Sequence, residues 1–246
     1  MTFSEGQRSY FSEFNRCQEL LDQQSIVLEK IATSIYRSLN NGGVLHVFGS
    51  GHSHTLAEEL FHRAGGLVPV NAILEDYLMP HKGPSRVSKL ERTKGIASTI
   101  FHAHDLREGE CILLSSNSGM NAVTSELAQL ANEKGLTTIA FTSLTHSKQS
   151  PDRGVPKLYS ICDYVIDTGT PYGDACVKIA NLDVKVAPLS TLMNVLIAEL
   201  LVVRICELYA ENGKTPPVYQ SANTEGGEER NKELENQYRA RIQHLI

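Results

Sequence analysis

The order of apolar and helical segments predicts an α/β domain built on a parallel sheet. Short apolar or β-branched runs at Val44–Phe48, Ile112–Leu114, Thr137–Thr142 and Tyr164–Ile166 alternate with stretches of helical periodicity. Such alternation places helices over both faces of a parallel sheet. Two of the runs lead straight into glycine- and serine-rich turns, Gly49-Ser50-Gly51-His52-Ser53 and Ser115-Ser116-Asn117-Ser118-Gly119, and each turn opens a helical segment. With 246 residues, 41% hydrophobic and 21% charged, the chain is long enough to bury the core this sheet requires.

The elements follow in order. Leu20, Leu21, Val27, Leu28, Ile31 and Ile35 recur near helical spacing and predict helix up to the stop at Asn41-Gly42-Gly43. After the first strand, Ser53 to Ala64 reads as a helix closed by Gly65-Gly66, and Leu67 to Ala72 as a second strand. Asp76 to Arg92, broken by Pro80, Gly83 and Pro84, reads as a loop leading into a helix over Leu90 to Ala103. The second turn opens a helix from Ala122 to Lys134 that Gly135 ends. Leu189 to Tyr209 is helical and apolar almost all round, which predicts a core or interface helix. The tail from Ser221 is charged, with an amphipathic stretch from Leu234 to Ile246, and reads as a flexible end or a clasp on a neighbouring subunit.

A helix N-terminus carries free N–H groups and the positive end of a dipole, so it attracts anions. Glycine lets backbone approach the anion, and serine adds neutral donors. Singly, each turn is an ordinary N-cap. As a pair in matched strand–helix settings they predict a pocket for a small phosphorylated molecule, lined by Gly49, Ser50, Gly51, His52, Ser53, Ser116, Asn117, Ser118, Gly119 and Asn121. A dinucleotide fingerprint is excluded because His54 stands where its third glycine belongs, and no GxxxxGK[ST] occurs.

These two turns resemble those of the sugar isomerase (SIS) domain family. The similarity extends through the helix from Glu126 to Gly135, Thr138-Ile139-Ala140-Phe141-Thr142-Ser143 and Cys162-Asp163-Tyr164-Val165-Ile166-Asp167. Ser85-Arg86, Leu90-Glu91-Arg92, Gly173-Asp174 and the Ser221 to Asn231 segment narrow it to the uncharacterised SIS proteins grouped near phosphoheptose isomerase. The resemblance implies a flavodoxin-like three-layer sandwich with a five-stranded parallel sheet, organised as an N-terminal helical segment 1–41, a SIS domain 42–210 and a C-terminal tail 211–246. It also implies phosphosugar binding, with phosphate on Ser53, Ser116, Ser118 and Asn121, and a homodimer or homotetramer. The activity it points to is aldose–ketose isomerisation of a phosphorylated sugar or amino sugar. A non-catalytic phosphosugar sensor and a lyase or etherase are the alternatives.

Isomerisation needs a base that moves a proton between adjacent carbons. Glu59 resembles a carboxylate of the Ala-Glu-Glu-Leu segment in phosphoheptose isomerase, and Glu58 adjoins it. Glu91 belongs to the subgroup's Glu-Arg pair. Glu199 lies inside an apolar run, where a carboxylate is costly unless paired or functional. It falls near the place of a catalytic histidine in that family, so the chain departs from the heptose enzymes there. Burial would raise the pKa of Glu199, and Arg204 is its candidate partner. His52, His54 and His81 are further candidates within reach of a sugar.

Other classes fit poorly. A net charge of -5 with scattered basic residues predicts no nucleic-acid surface. No apolar run reaches membrane-spanning length and the N-terminus lacks a leader pattern, which predicts a cytoplasmic protein. Five cysteines without CxxC spacing predict buried thiols. His102-x-His104 lacks a third ligand at a convincing spacing, so neither a metal nor a cofactor is expected.

Overall fold

The structure is a computed structural model that describes residues 2–245. Two helices, α1 (Glu5–Asp22) and α2 (Ser25–Asn40), precede strand β1 (Leu45–Gly49). Helix α3 (Thr55–Leu60), strand β2 (Val70–Ile73) and helices α4 (Pro84–Leu90) and α5 (Ile96–Ala103) follow, then β3 (Cys111–Ser115) and α6 (Ala122–Lys134). The domain continues with β4 (Thr137–Thr142), α7 (Leu144–Gln149), α8 (Leu158–Ile161) and β5 (Tyr164–Asp167). A hairpin, β6 (Ala175–Lys178) with β7 (Lys185–Pro188), leads into the long α9 (Ser190–Glu211), and α10 (Gly227–Tyr238) lies in the tail.

The five main strands are all parallel, in the order β2-β1-β3-β4-β5. Their side chains alternate between two cores, as a pleat requires. Leu45, Val47, Leu113 and Phe141 pack with α1, α2, α3 and α9 on one face. Phe48, Ile112, Leu114 and Ala140 pack with α5 and α6 on the other. The expected three-layer α/β architecture is therefore present.

Several boundaries differ, each for a local reason. The N-terminal helix breaks at Gln23-Gln24 because the Gln24 amide serves edge strand β5. Its Nε2 donates to the Asp167 carbonyl at 2.9 Å and its Oε1 accepts from the Asp167 N–H at 2.8 Å. Open edge groups are thereby satisfied by a side chain. The segment expected as a loop up to Arg92 holds α4, and the helix expected over 90–103 begins only at Ile96, after Gly95 at φ +89°. The one expected over 53–64 starts as a 3-10 turn over Gly51–His54 and ends at Leu60. The β6–β7 hairpin was not expected. Asp174 fastens it to α9, accepting from Ser190 N at 2.8 Å and Ser190 Oγ at 2.6 Å, which places a carboxylate at that helix's N-terminus.

The tail clasps its own chain. Ile242 and Leu245 pack against Val44, and Arg241 reaches Glu110 at 2.8 Å. All five cysteines are free thiols, three of them buried, and burial pushes Cys111 and Cys162 up to about 12. No helix among the described residues is long and apolar enough to cross a membrane.

Candidate functional site

Strands β1 and β3 are neighbours, with Gly49 opposite Ser115, so the turns that follow them lie side by side at the carboxyl end of the sheet. The strand order reverses there, since β2 flanks β1 on one side and β3 on the other. In open α/β sheets the crevice at that reversal is where ligands bind.

In the first turn a Cβ on Gly49 would stand 2.3 Å from the Ser53 carbonyl oxygen, so only glycine allows the chain to fold back so tightly. Gly51 has φ +59°, and a Cβ there would come 3.7 Å from a carboxylate oxygen of Glu91. The Ser53 N–H donates to the Ser50 carbonyl at 3.1 Å. His54 binds the Gly51 carbonyl and braces the turn, whereas His52 is exposed.

In the second turn the buried Ser116 hydroxyl accepts from Gly119 N at 3.1 Å. Ser118 is half-buried, and Asn121 sits as the N-cap of α6. Asn117 points its amide at neighbouring loops: its Oδ1 accepts from Thr170 Oγ1 at 2.7 Å, so its side chain holds the turn in place.

Glu91 joins the two turns. Ser50 Oγ donates to its Oε2 at 3.0 Å, the Asn121 amide lies beside it, and its carbonyl accepts from Val123 N at 3.2 Å in the first turn of α6. Burial raises the pKa of this carboxyl above its usual value, while the Ser50 hydroxyl, Arg92, Arg153 and Asn121 each pull it back.

The other two carboxylates lie elsewhere in the network. Glu59 pairs with Arg63, and Arg63 also stands 4.0 Å from Glu199. Among the described contacts, none ties either residue to the two turns. Glu199 is not buried as its apolar neighbours suggested; its side chain is 41% exposed. The outer face of α9 is itself apolar, so the run around Glu199 does not report depth. Arg204 is not its partner either, being engaged by Glu29, Glu207 and Glu211.

Two residues of the site were missed in the sequence. Arg153, on the loop between α7 and α8, donates from Nη1 to Asn121 Oδ1 at 2.6 Å. Asn194 of α9 is 6% exposed and donates to Ser115 Oγ at 3.0 Å, leaving its own Oδ1 without a partner. An asparagine amid the apolar residues of α9 was a readable signal; the Arg153 loop carries no motif. His102 turns back to the Ser98 carbonyl at 2.7 Å, while His104 lies by Asn71, so the pair does not converge.

A doubly wound domain with two serine turns at its switch point narrows the class, and comparison with known proteins supplies the family. The chain belongs to the SIS domain family, whose model matches residues 9–143. A UPF0309 protein of Geobacillus thermodenitrificans is 40% identical over 96% of both chains. Among solved structures, a phosphoheptose isomerase from Francisella tularensis aligns with a TM-score of 0.52 at 19% identity, covering 84% of this chain and 100% of that one. The Vibrio vulnificus NanR protein, complexed with ManNAc-6P, aligns with a TM-score of 0.50 at 15% identity, covering 85% of this chain and 63% of its own. At these identities the structural likenesses establish the fold.

Proposed function

We propose that the protein binds a phosphorylated sugar or amino sugar across its two serine turns and interconverts the aldose and ketose forms. The observation that carries this reading is the Glu91 carboxylate, held by Ser50 beside Asn121 where the two turns meet. The phosphate takes N–H and hydroxyl donors from the Ser116–Asn121 turn and the N-terminus of α6, with Ser53 from the first turn. Glu91 removes the proton from the hydroxyl-bearing carbon next to the carbonyl while the carbonyl oxygen takes up a proton. It then returns its proton to the former carbonyl carbon as the neighbouring hydroxyl gives up its own and becomes the new carbonyl. The relative complexed with ManNAc-6P supports a ligand of this kind.

Thermal melts with sugar phosphates and their unphosphorylated counterparts test the binding step. A ligand at about 100 times its Kd stabilises the fold by roughly 2.7 kcal/mol. The expected result is a shift with phosphorylated sugars alone that Ser116→Ala removes. Shifts shared by the unphosphorylated sugars count against a phosphate site. Turnover of the stabilising compound separates an isomerase from a sensor, and loss of a substituent during turnover identifies a lyase.

A second copy of the chain belongs on the outer face of α9. Leu192, Leu200 and Val203 share that face with Glu199, and Val203 is 55% exposed. Exposed apolar residues grouped on one helix mark an interface. Leu200→Glu together with Val203→Glu is expected to convert a dimer or tetramer to monomer by light scattering. A parent protein that is already monomeric removes the proposal.

A further inference from the structure

One buried amide lies between two histidines on the sheet face that α5 and α6 cover. Asn71 of β2 is fully buried, and its Nδ2 stands 3.0 Å from His46 Nδ1 on β1 and 3.4 Å from His104 Nδ1 just past α5. Its Oδ1 is buried as well and has no partner among the described residues. The other nitrogen of each ring faces a carboxylate. His46 Nε2 is 2.9 Å from Glu110 Oε2, and His104 Nε2 is 3.9 Å from Glu75 Oε1. Arg241 reaches Glu110 from the tail at 2.8 Å, and Tyr77 lies beside Glu75. Asp105, next to His104 in the chain, is taken up by Arg107 and Arg241.

An amide has a donor end and an acceptor end, and here one end meets both rings. Whichever end that is, the two Nδ1 atoms play the same part: both accept, or both donate. Arg241 keeps Glu110 ionised, so His46 Nε2 holds a proton and donates to it. Glu75 favours a proton on His104 Nε2 in the same way. An accepting Nδ1 then means a neutral ring, and a donating one means a cation. With Nδ2 toward the rings, both are neutral. A proton reaching either Nδ1 sets N–H against N–H, and turning the amide brings the partnerless Oδ1 to both rings at once.

We propose that His46, Asn71 and His104 form a proton switch, in which acid turns the Asn71 amide, both rings become cations in one step, and His104 closes on Glu75. Glu75 is the N-cap of the 3-10 turn Asp76–Leu78, and its carbonyl accepts from Leu78 N at 2.8 Å. That turn opens the segment that ends at Glu91, so two buried protons are tied to the start of the chain stretch carrying the candidate base.

Long-range ¹H–¹⁵N spectra read tautomer and charge for each ring separately. At about pH 8 both rings are expected as the Nε2–H form. On acidification of the folded protein both are expected to gain Nδ1–H over one shared interval, more steeply than a single site titrates. Glu75→Gln, a change beside His104, is expected to move both rings to lower pH together. Asn71→Leu is expected to let the rings titrate independently. Should that variant fail to fold, Glu75→Gln still decides, since the Glu75 side chain is 20% exposed. Nδ1–H on one ring while the other Nδ1 stays bare overturns the switch in the parent. So does a Glu75→Gln shift confined to His104, or unfolding of the parent before either ring changes.

Discussion

Glu91→Gln is expected to lower kcat/KM on the sugar phosphate that stabilises the fold by about 10²- to 10⁴-fold, the usual contribution of a positioned acid–base group. Glutamine keeps an oxygen for the Ser50 hydroxyl to donate to, so the two turns stay together and the melting shift persists. The carbonyl of residue 91, which accepts from Val123 N, is unaffected by the change. What the variant lacks is a basic carboxylate oxygen that takes a proton from carbon. Because burial raises this pKa above 4.5, the acid limb of the parent pH–rate profile lies above the ordinary carboxylate range. Activity rises with pH across that limb as the base form appears, and the limb is absent from any residual activity of the variant. A Glu91→Gln protein with parental kcat places the base elsewhere. Glu59→Gln and Glu199→Gln then become the variants to compare, since Arg63 links those two carboxylates.

The parts of the fold legible in the sequence are those where local signals are complete. Helix α6 runs over the predicted residues because Gly135 ends it at φ +84°, and β4 is the predicted Thr137–Thr142. The hairpin was unreadable for the opposite reason. Its strands are four residues each, its Ala187 has φ +61°, and its fastening comes from Asp174 capping a different element. The two turns were legible as a pair, and parallel pairing of β1 with β3 places them together. Glu91 was a candidate through the subgroup's Glu-Arg pair alone, and its contacts with both turns were not readable, because the end of α4 reaches them only through tertiary packing. Glu199 shows how an apolar run misleads. Apolarity on the outward face of α9 has the same look in the sequence as apolarity in the core, and only the second reports depth.

The second large effect lies at the amino end of the sheet. Glu110 is 5% exposed and accepts from Val44 N, His46 Nε2, Arg107 N and both Arg241 Nη atoms, at 2.8 to 3.1 Å. Burial raises the pKa of Glu110, but hydrogen bonds from His46 and Arg241 outweigh it and leave the carboxyl near about 2, against an ordinary 4.5. A depressed carboxylate pKa contributes stability that is complete above the unfolded value and is lost as pH falls through the folded one. The window is therefore from about 4.5 down to about 2, and the size is roughly 3 kcal/mol. His46 adds to the same slope. Burial lowers its pKa below 6.5, so the native ring stays neutral while the unfolded chain takes up a proton, and stability begins to fall below 6.5. Glu110→Gln is expected to cost about 3 to 5 kcal/mol at pH 7, because Arg241 loses its buried carboxylate and keeps only the more exposed Asp105. Its urea-unfolding stability is then expected to fall less steeply than the parent's between pH 4.5 and about 2, the remaining slope coming from His46 and from Asp105, which Arg107 and Arg241 also hold at about 2. The tail depends on the same contact, since Arg241 joins Asp105 and Glu110 just before Ile242 packs on Val44. Limited proteolysis is thus expected to remove the residues after Tyr238 faster in Glu110→Gln than in the parent. A variant that matches the parent in both acid slope and tail cleavage makes the network dispensable, and the packing of Ile242 and Leu245 would then hold the tail alone.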